Sequence, residues 1–294
     1  MANTLLFIVN PRAGRGRSGA ALFEAVTYFS EAGYLVSVRQ TKGPFDATQI
    51  VLDTGPNFDR IVCFGGDGTL NEVTSGILQL DNPPPLGYIP GGSTNDFAAS
   101  LGLPSSPPEC AKRILESRGQ MLDIGTFNGR PFVYVASFGL FTKASYSASQ
   151  SIKNQLGHFA YILEGVKDLS NLRPYRATIV TDDEVFDGSF LLGAITNSTS
   201  VGGLMKLQED YVVMDDGKFE LMLIPTPKSP MELQVLIRSI LMQNYSGGGI
   251  IFRHVSRVVV ETSHPFPWTL DGEFGSGAER VEIINHRKKL NLLV

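Results

Sequence analysis

The feature that most constrains this chain is the alternation of short apolar runs with helix-like segments along its first 123 residues. Residues 5–9, 60–64 and 86–89 are short apolar runs, and a turn rich in glycine or polar residues follows each of them. The segments with helical spacing are residues 20–32, 47–52, 70–80 and 109–117. Buried strands that are connected by helices are typical of parallel sheets. The alternation therefore predicts an open α/β domain with a parallel sheet over residues 1–123.

The second part of the chain has a different pattern, in which short alternating runs dominate. The candidate strands are residues 129–136, 176–181, 186–195, 218–224, 256–261 and 280–284. Asn128-Gly129, Asp187-Gly188 and Asp216-Gly217 are residue pairs that favour tight turns. This pattern predicts an antiparallel β-sandwich over residues 124–294, interrupted by helices at 160–169 and 231–244. It leaves open whether the last strand returns to the first domain.

Composition narrows the class of protein. The net charge is −4, and the aromatic residues are not interleaved with basic clusters, so nucleic acid is not an expected partner. The two cysteines, Cys63 and Cys110, form no CxxC pattern, and the apolar run around Cys63 predicts a buried thiol in a reducing, cytoplasmic compartment. No uncharged apolar run reaches the roughly 18 to 20 residues that a membrane-spanning helix needs. Any membrane contact is therefore expected to be peripheral.

A glycine-rich turn at residues 14–19 matches the G-x-G-x-x-G pattern of dinucleotide-binding sites. Such sites also need an acidic residue near the end of the second strand to bind a ribose hydroxyl, but this strand runs into Arg39-Gln40-Thr41. The missing acid disfavours an NAD site. The turn still suits a phosphate, because glycines at a helix N-terminus present bare N–H groups to an anion. Arg12, Arg15 and Arg17 add positive charge. An ordinary tight turn is the alternative.

A second glycine-rich turn, Gly65-Gly66-Asp67-Gly68-Thr69, follows the apolar run at residues 60–64. Its glycines let the backbone approach a phosphate, and Asp67 suits a cation, because Mg²⁺ binds one or two carboxylates together with substrate phosphates. The chain has no G-x-x-x-x-G-K-[ST] pattern, so this is not a Walker-type site. A third turn, at residues 91–96, follows the next strand. Ligands bind where such turns meet at the carboxyl edge of a parallel sheet.

These segments, in this order, resemble the diacylglycerol kinase catalytic domain family, which includes sphingosine and ceramide kinases and many bacterial lipid kinases. The matching patterns are Asn10-Pro11-x-x-Gly14, Gly65-Gly66-Asp67-Gly68-Thr69, Thr94-Asn95-Asp96-Phe97, Leu122-Asp123-Ile124-Gly125, Met214-Asp215-Asp216-Gly217-Lys218-Phe219 and Leu270-Asp271-Gly272-Glu273. They cover nearly the whole chain, and six short patterns in the right order are far more specific than any one of them. The resemblance implies a lipid kinase that uses ATP and Mg²⁺, with an N-terminal domain similar to those of NAD kinases and phosphofructokinases.

The resemblance also implies roles for individual residues. The positions similar to nucleotide-binding residues are Asn10, Pro11, Arg12, Ala13, Gly14, Thr41, Gly65, Gly66, Asp67, Gly68, Thr69, Leu70, Asn71, Glu72, Ser93, Thr94 and Asn95. The carboxylates similar to those that organise Mg²⁺ and its waters are Asp67, Asp96, Asp123 and Asp215. Asp216, with the backbone carbonyls of Val213 and Lys218, resembles a structural metal site. Many members have Gly-Thr-x where this chain has Gly92-Ser93-Thr94, which leaves the choice of hydroxyl open.

Asp271 and Glu273 match the pair that lies near the transferred phosphate in the family, where Glu273 is the residue assigned as proton acceptor. Phosphoryl transfer to an alcohol needs positioned phosphates, a cation and a carboxylate that takes the proton. Without the resemblance, the same residues are more typical of a solvated hairpin turn than of a catalytic pair. We therefore expect Asp67, Asp271 and Glu273 to be catalytic and leave open which of the last two is the base. The expected acceptor is diacylglycerol at the membrane surface, and exposed sheet edges are compatible with a homodimer.

Two other functions fit part of the pattern. NAD kinases and phosphofructokinases carry a similar Gly-Gly-Asp-Gly turn, although the Asn-Pro start and the Leu-Asp-Gly-Glu end weigh against a soluble acceptor. A nucleotide or lipid sensor without turnover would not need the acids at positions 67, 271 and 273. A different lipid acceptor would need the same catalytic residues as diacylglycerol, so the sequence does not identify the lipid.

Overall fold

The computed structural model describes residues 3–13, 19–92, 95–139, 173–201, 205–207, 212–245 and 247–294. These residues form two compact units, one of Met1–Ile124 with Lys288–Val294 and the other of Gly125–Arg287. The helix predicted at residues 160–169 lies outside the described residues, as do the candidate site residues Gly14, Ser93 and Thr94.

The first unit is built on a parallel sheet, as the sequence predicts. Its strands are β1 Asn3–Val9, β2 Tyr34–Gln40, β3 Arg60–Gly65 and β4 Leu86–Pro90, in the order β4-β3-β1-β2. The parallel registers pair Val9 with both Gln40 and Phe64, and Gly65 with Pro90. The carboxyl ends of the strands therefore lie in a row along one edge of the sheet.

Helices connect these strands. They are α1 Gly19–Glu31, α2 Asp46–Thr54, α3 Asp67–Ile77, α4 Asp96–Ser100 and α5 Pro107–Glu116, with a short 3-10 helix at Gly55–Asn57. Helix α3 begins three residues before the predicted residue 70, because the Leu70 N–H already donates to the Gly66 carbonyl at 3.0 Å. Both cysteines are buried and free, as predicted for Cys63.

The second unit consists mainly of antiparallel strands. The remaining strands of the chain are β5 Gln120–Phe127, β6 Arg130–Phe132, β7 Val135–Gly139, β8 Tyr175–Val180, β9 Val185–Thr196, β10 Ser200–Val201, β11 Met205–Lys206, β12 Phe219–Pro225, β13 Ile251–Val255, β14 Arg257–Glu261, β15 Trp268–Leu270, β16 Glu273–Gly275 and β17 Arg280–Leu293, and the one further described helix is α6 Pro230–Leu241. Strands β5 and β17 each contribute residues to both units, and the end of β17 pairs in parallel with β4. The core of the second unit is aromatic: the Phe138 ring lies 4.8 Å from Phe266 and 4.9 Å from Trp268.

Two predictions for this unit are wrong. Residues 129–136 do not form one strand, because the backbone N–H groups of Val133, Tyr134 and Val135 donate to the Asp271 carboxylate, and the chain divides into β6 and β7. Asp187-Gly188 is not a turn and lies inside β9. The turn occurs earlier, at residues 181–184, where the Thr181 N–H donates to the Glu184 carbonyl.

Among the described residues, none of the helices combines the length and the apolar character that crossing a bilayer requires.

The aromatic core leaves no room for a side chain at Gly193 of β9. A Cβ atom at this position would overlap the Phe138 ring, whereas a Cβ at Gly188 of the same strand would lie 3.6 Å from the Phe190 ring, an ordinary contact. Because overpacking costs about 1–3 kcal/mol, we expect Gly193→Ala to lower the free energy of unfolding by that amount. Gly188→Ala should change it by no more than about 0.5 kcal/mol. Urea unfolding followed by the fluorescence of Trp268, the single tryptophan, checks both; equal stabilities would contradict the packing argument.

Candidate active site

The turn between β3 and α3 carries the first group of predicted residues. A Cβ atom at Gly65 would overlap the Thr69 side chain, so only glycine allows the chain to leave β3 and enter α3 this tightly. Helix α3 begins at Asp67, with Gly66 as its extended N-cap. The first N–H groups of a helix have no intrahelical partner and attract anions. Backbone geometry here suits a phosphate, as the glycine pattern predicts.

The turn after β4 lies against the first turn. A Cβ atom at Gly92 would lie 2.6 Å from the Gly66 Cα atom, and a Cβ at Gly66 would lie 3.1 Å from the Gly92 Cα atom. Only a pair of glycines lets the two backbones come this close. Asn95, in the left-handed region at φ 51°, holds the turn: its Oδ1 accepts from the Gly92 N–H at 2.7 Å, and its Nδ2 donates to the Gly92 carbonyl at 2.9 Å.

This contact brings together two of the residues predicted to organise Mg²⁺, Asp67 and Asp96. The Asp96 N–H donates to Asp67 Oδ2 at 3.3 Å, so the acids that begin α3 and α4 are neighbours. Burial raises the pKa of Asp96 above its usual range. Burial also raises the pKa of the Tyr88 phenol, and the nearby Asp67 carboxylate raises it further. A cation beside Asp96 would offset the burial of its carboxylate.

The donor chemistry of this edge suits Mg²⁺ that is shared with phosphates. The described residues contain no cluster of three or more His, Cys, Asp or Glu side chains that could hold a metal without help. Mg²⁺ commonly takes one or two carboxylates and completes its shell with substrate phosphates and water. Asp67 and Asp96, which begin neighbouring helices at this edge, fit that requirement.

The ends of β1 and β2 add further predicted residues to the same edge. Asn10 Nδ2 donates to Thr69 Oγ1 at 2.9 Å, and its Oδ1 accepts from the Arg12 N–H at 3.0 Å. The Thr41 N–H donates to the Val9 carbonyl at 2.9 Å, which fixes the chain where β2 ends. Glu72 does not face outward as a simple ligand, because its Oε2 accepts from the Ala47 N–H at 3.2 Å.

Three further predicted residues of the first unit are buried in its fold. Leu70 is fully buried and packs in the core, and Asn71 is buried as well. Asp123 in β5 is also fully buried, and its Oδ1 accepts from the Lys288 N–H at 2.8 Å. Lys288 is in the left-handed region at φ 53°, so Asp123 stabilises an irregular point of β17.

In the second unit, Asp271 and Glu273 lie in one hairpin. Strands β15 and β16 pair Leu270 with Glu273 across a two-residue turn. Asp271 and Gly272 have φ values of 49° and 84°, as a type I′ hairpin turn requires. The sequence prediction of a hairpin turn is therefore confirmed at this position.

The two acids of this hairpin differ sharply in environment. Asp271 is 3% exposed, and its carboxylate accepts from the N–H groups of Val133, Tyr134 and Val135 at 2.6, 3.0 and 3.1 Å. Both of its oxygens are thus engaged by backbone donors. The Glu273 side chain is 48% exposed. Asp271 positions the turn, and Glu273 is the carboxylate that a hydroxyl group from outside can reach.

Arg130 is a residue of this site that the sequence did not reveal. Its Nη2 lies 3.2 Å from Glu273 Oε2, and its Nη1 donates to the Phe274 carbonyl at 3.0 Å. Arg130 belongs to β6, far from residues 271–274 in the chain. Only its position directly after the predicted Asn128-Gly129 turn could have suggested that it lies in a hairpin.

The predicted structural metal site lies in the turn before β12. The Lys218 N–H donates to Asp216 Oδ1 at 2.8 Å, and Arg287 Nε donates to the Asp215 carbonyl at 3.2 Å. Gly217 has φ 90°, so the turn depends on its glycine. Val213 is 48% exposed at the start of this segment.

The first unit thus brings Asn10, Thr41, Gly65–Glu72 and Asp96 to one sheet edge, and the second brings Asp271 and Glu273 into one hairpin. Residues 4–127 match the family described as the diacylglycerol kinase catalytic domain.

Relatives extend the match to the whole chain. A diacylglycerol kinase of Bacillus subtilis strain 168 is 34% identical over 289 residues, which are 98% of this chain and 95% of that protein. One of Staphylococcus aureus strain MRSA252 is 30% identical over 91% of this chain and 85% of its own. A crystal structure of a diacylglycerol kinase from Bacillus anthracis strain Sterne has a TM-score of 0.79 at 25% identity, covering 99% of this chain and 97% of that one. The chain therefore belongs to the diacylglycerol kinase family of phosphotransferases.

Proposed function

We propose that this protein transfers the γ-phosphate of ATP, bound with Mg²⁺, to the hydroxyl group of diacylglycerol and so forms phosphatidic acid. The observation that carries the proposal is the contact between Gly66 and Gly92, which brings two phosphate-type turns and the acids Asp67 and Asp96 together. The names of the relatives support diacylglycerol as the acceptor. Retention of the acidic residues at positions 67, 271 and 273 favours turnover over a sensor function.

The first unit would bind the nucleotide, in the manner of NAD kinases and phosphofructokinases. The N–H groups at the start of α3 would hold phosphate oxygens, together with Asn10 and Arg12. The resemblance adds the hydroxyl of Ser93 or Thr94. Asp67 and Asp96 would hold Mg²⁺. Bound Mg²⁺ would neutralise negative charge on the phosphate oxygens. Asp216, with the carbonyls of Val213 and Lys218, would bind a separate structural cation.

Glu273 would act as the base. The acceptor oxygen forms a bond to the γ-phosphorus, the bond from that phosphorus to the bridging oxygen breaks, ADP leaves, and the hydroxyl proton passes to Glu273. Asp271 is unsuited to this step, because backbone N–H groups engage both of its oxygens. Arg130 would orient the Glu273 carboxylate through their ion pair before the acceptor binds.

Contact with the cytoplasmic face of a membrane would give access to this acceptor. Helix α6 buries Leu233, Leu236, Ile237 and Ile240 but leaves Met231 75%, Val235 46% and Met242 63% exposed. These three exposed residues and Arg238 follow a helical spacing, so apolar side chains and a cation share one side of the helix.

We expect Met231→Glu to reduce co-sedimentation of the protein with anionic vesicles. Glu232→Gln, at the neighbouring position, should leave it unchanged. Equal sedimentation of both variants would contradict this assignment.

The direct test is phosphate transfer from labelled ATP in mixed micelles with Mg²⁺, with diacylglycerol, sphingosine, undecaprenol and NAD as parallel acceptors. Labelled phosphatidic acid is the expected product. Label on another acceptor alone would replace the substrate, and ATP binding without label in any lane would favour a sensor.

Two variants should separate the steps of this reaction. We expect Glu273→Gln to lower kcat by about 10²–10⁴-fold, the usual contribution of a general base, with ATP binding unchanged. Asp67→Asn should lower both the affinity for Mg²⁺-ATP and kcat, because it removes a negative ligand. Kinetics together with calorimetric ATP titration distinguish them. An active Asp67→Asn, Glu273→Gln double variant would refute the proposed roles.

Asp271→Asn should behave differently from Glu273→Gln. The amide has one acceptor oxygen, so at least one of the buried N–H groups of residues 133–135 loses its partner, at a cost of about 1–3 kcal/mol. We expect Asp271→Asn to lower the unfolding temperature and Glu273→Gln to leave it unchanged. The fluorescence of Trp268, three residues before Asp271, follows the transition. A stable but inactive Asp271→Asn variant would instead make Asp271 the base.

A further inference from the structure

Phe45 adopts a backbone conformation that its side chain disfavours. Its φ and ψ values are 64° and 0°, in the left-handed region. The other described non-glycine residues with positive φ are Asn95, Asn128, Gln243, Asp271 and Lys288, none of them aromatic. In this region the Cβ atom approaches the following carbonyl oxygen, a strain that glycine does not have.

The Phe45 backbone is part of the α2 hydrogen bonding, since its carbonyl accepts from the Gln49 N–H at 3.2 Å, but the described part of the first unit gives the ring little in return for this strain. The Phe45 side chain is 72% exposed, so it gains little from burial. It is the N-cap residue of α2 but makes no side-chain hydrogen bond to that helix. Other groups hold the loop, because Asp46 Oδ2 accepts from the Lys42 N–H at 2.6 Å and Glu72 Oε2 accepts from the Ala47 N–H at 3.2 Å. A strained residue that the fold does not need points to a function.

The position of Phe45 suggests which function. It lies four residues after Thr41, in the loop that leaves the end of β2. The order β3-β1-β2 puts this loop two strands from the turn at Gly65–Thr69, or about 10 Å at the usual strand spacing. An extended nucleotide spans a comparable distance between its terminal phosphates and its base.

The loop is also tied to the helix that begins at the phosphate-type turn. Glu72 of α3 accepts from Ala47 through its side chain, and its carbonyl accepts from Thr48 Oγ1 at 2.7 Å. Phe45 is thus held at a fixed distance from Asp67 within one unit.

We propose that Phe45 is the base-binding residue of the nucleotide site and that its exposed ring stacks on the purine of ATP. This inference rests on the proposed function, since it assumes that the β3–α3 turn binds the nucleotide's phosphates. The ring offers a flat apolar surface but no hydrogen-bonding group. Phe45 would therefore favour ligands that carry a base without distinguishing one base from another. Glycine at this position would relieve the strain, but it has no ring that could stack on the base.

The test compares Phe45→Gly with Phe45→Trp, and uses Phe23→Ala as a control because Phe23 is a 74% exposed phenylalanine of the same unit. Phe45→Gly should raise the unfolding temperature of the ligand-free protein, since it relieves the strain. It should also weaken ATP binding about tenfold, by loss of stacking. Phe45→Trp should bind ATP at least as tightly as the unchanged protein, and Phe23→Ala should leave the affinity unchanged.

Inorganic tripolyphosphate, which has no base, separates stacking from other effects of the loop. Calorimetric titration should give the same affinity for Mg²⁺-tripolyphosphate in Phe45→Gly and in the unchanged protein. Unchanged ATP affinity in Phe45→Gly would overturn the inference, as would an equal loss for both ligands, because the loop would then act on the phosphates. If the unchanged protein bound tripolyphosphate as tightly as ATP, the inference would fail, but the proposed phosphate site would be supported. Binding of neither ligand would refute the proposed function itself.

Discussion

The contact between Gly66 and Gly92 is the constraint on which the rest of the first unit's site depends. Their backbones approach so closely that a single Cβ atom on either residue would be crowded. This closeness allows the Asp96 N–H to reach the Asp67 carboxylate and places the starts of α3 and α4 side by side. The glycines therefore set the distance between the Asp67 carboxylate and the backbone of Asp96, at an edge where the Asp96 carboxylate is buried.

The predicted acidic residues fall into two groups, according to whether backbone N–H groups donate hydrogen bonds to their carboxylates. The fold engages Asp271 with three N–H groups and Asp123 with the Lys288 N–H, and both carboxylates are buried. Glu273 instead lies at the surface with a single arginine partner. A short motif such as Leu-Asp-Gly-Glu thus contains one acid that shapes the turn and another that the turn displays. The two would be indistinguishable if only their spacing were known.

The parallel sheet could be predicted from the sequence because periodicity and turn residues are local properties. The glycines at positions 65, 66 and 92 were recognisable for the same reason. The division of residues 129–136 was not predictable, because the groups that divide it are the N–H groups of residues 133–135 and an aspartate more than a hundred residues later. Asp187-Gly188 misled for a related reason: Asp187 forms cross-strand bonds to Arg176 and Thr178, which stabilise a strand rather than a turn. Arg130 was missed because its partner is equally distant in the chain.

Left-handed residues show how the same backbone conformation serves different purposes. Asn95 tolerates it because its side chain bonds back to Gly92, and Asp271 because three N–H groups hold it. In both, local hydrogen bonds offset the strain, and the residue type is one that this region favours. Phe45 has neither compensation, so its strain must be offset by the stability of the whole unit. Glycine at position 45 would remove this strain and make the chain more stable. A phenylalanine at this position is therefore explained by a contact that its ring makes with a bound ligand.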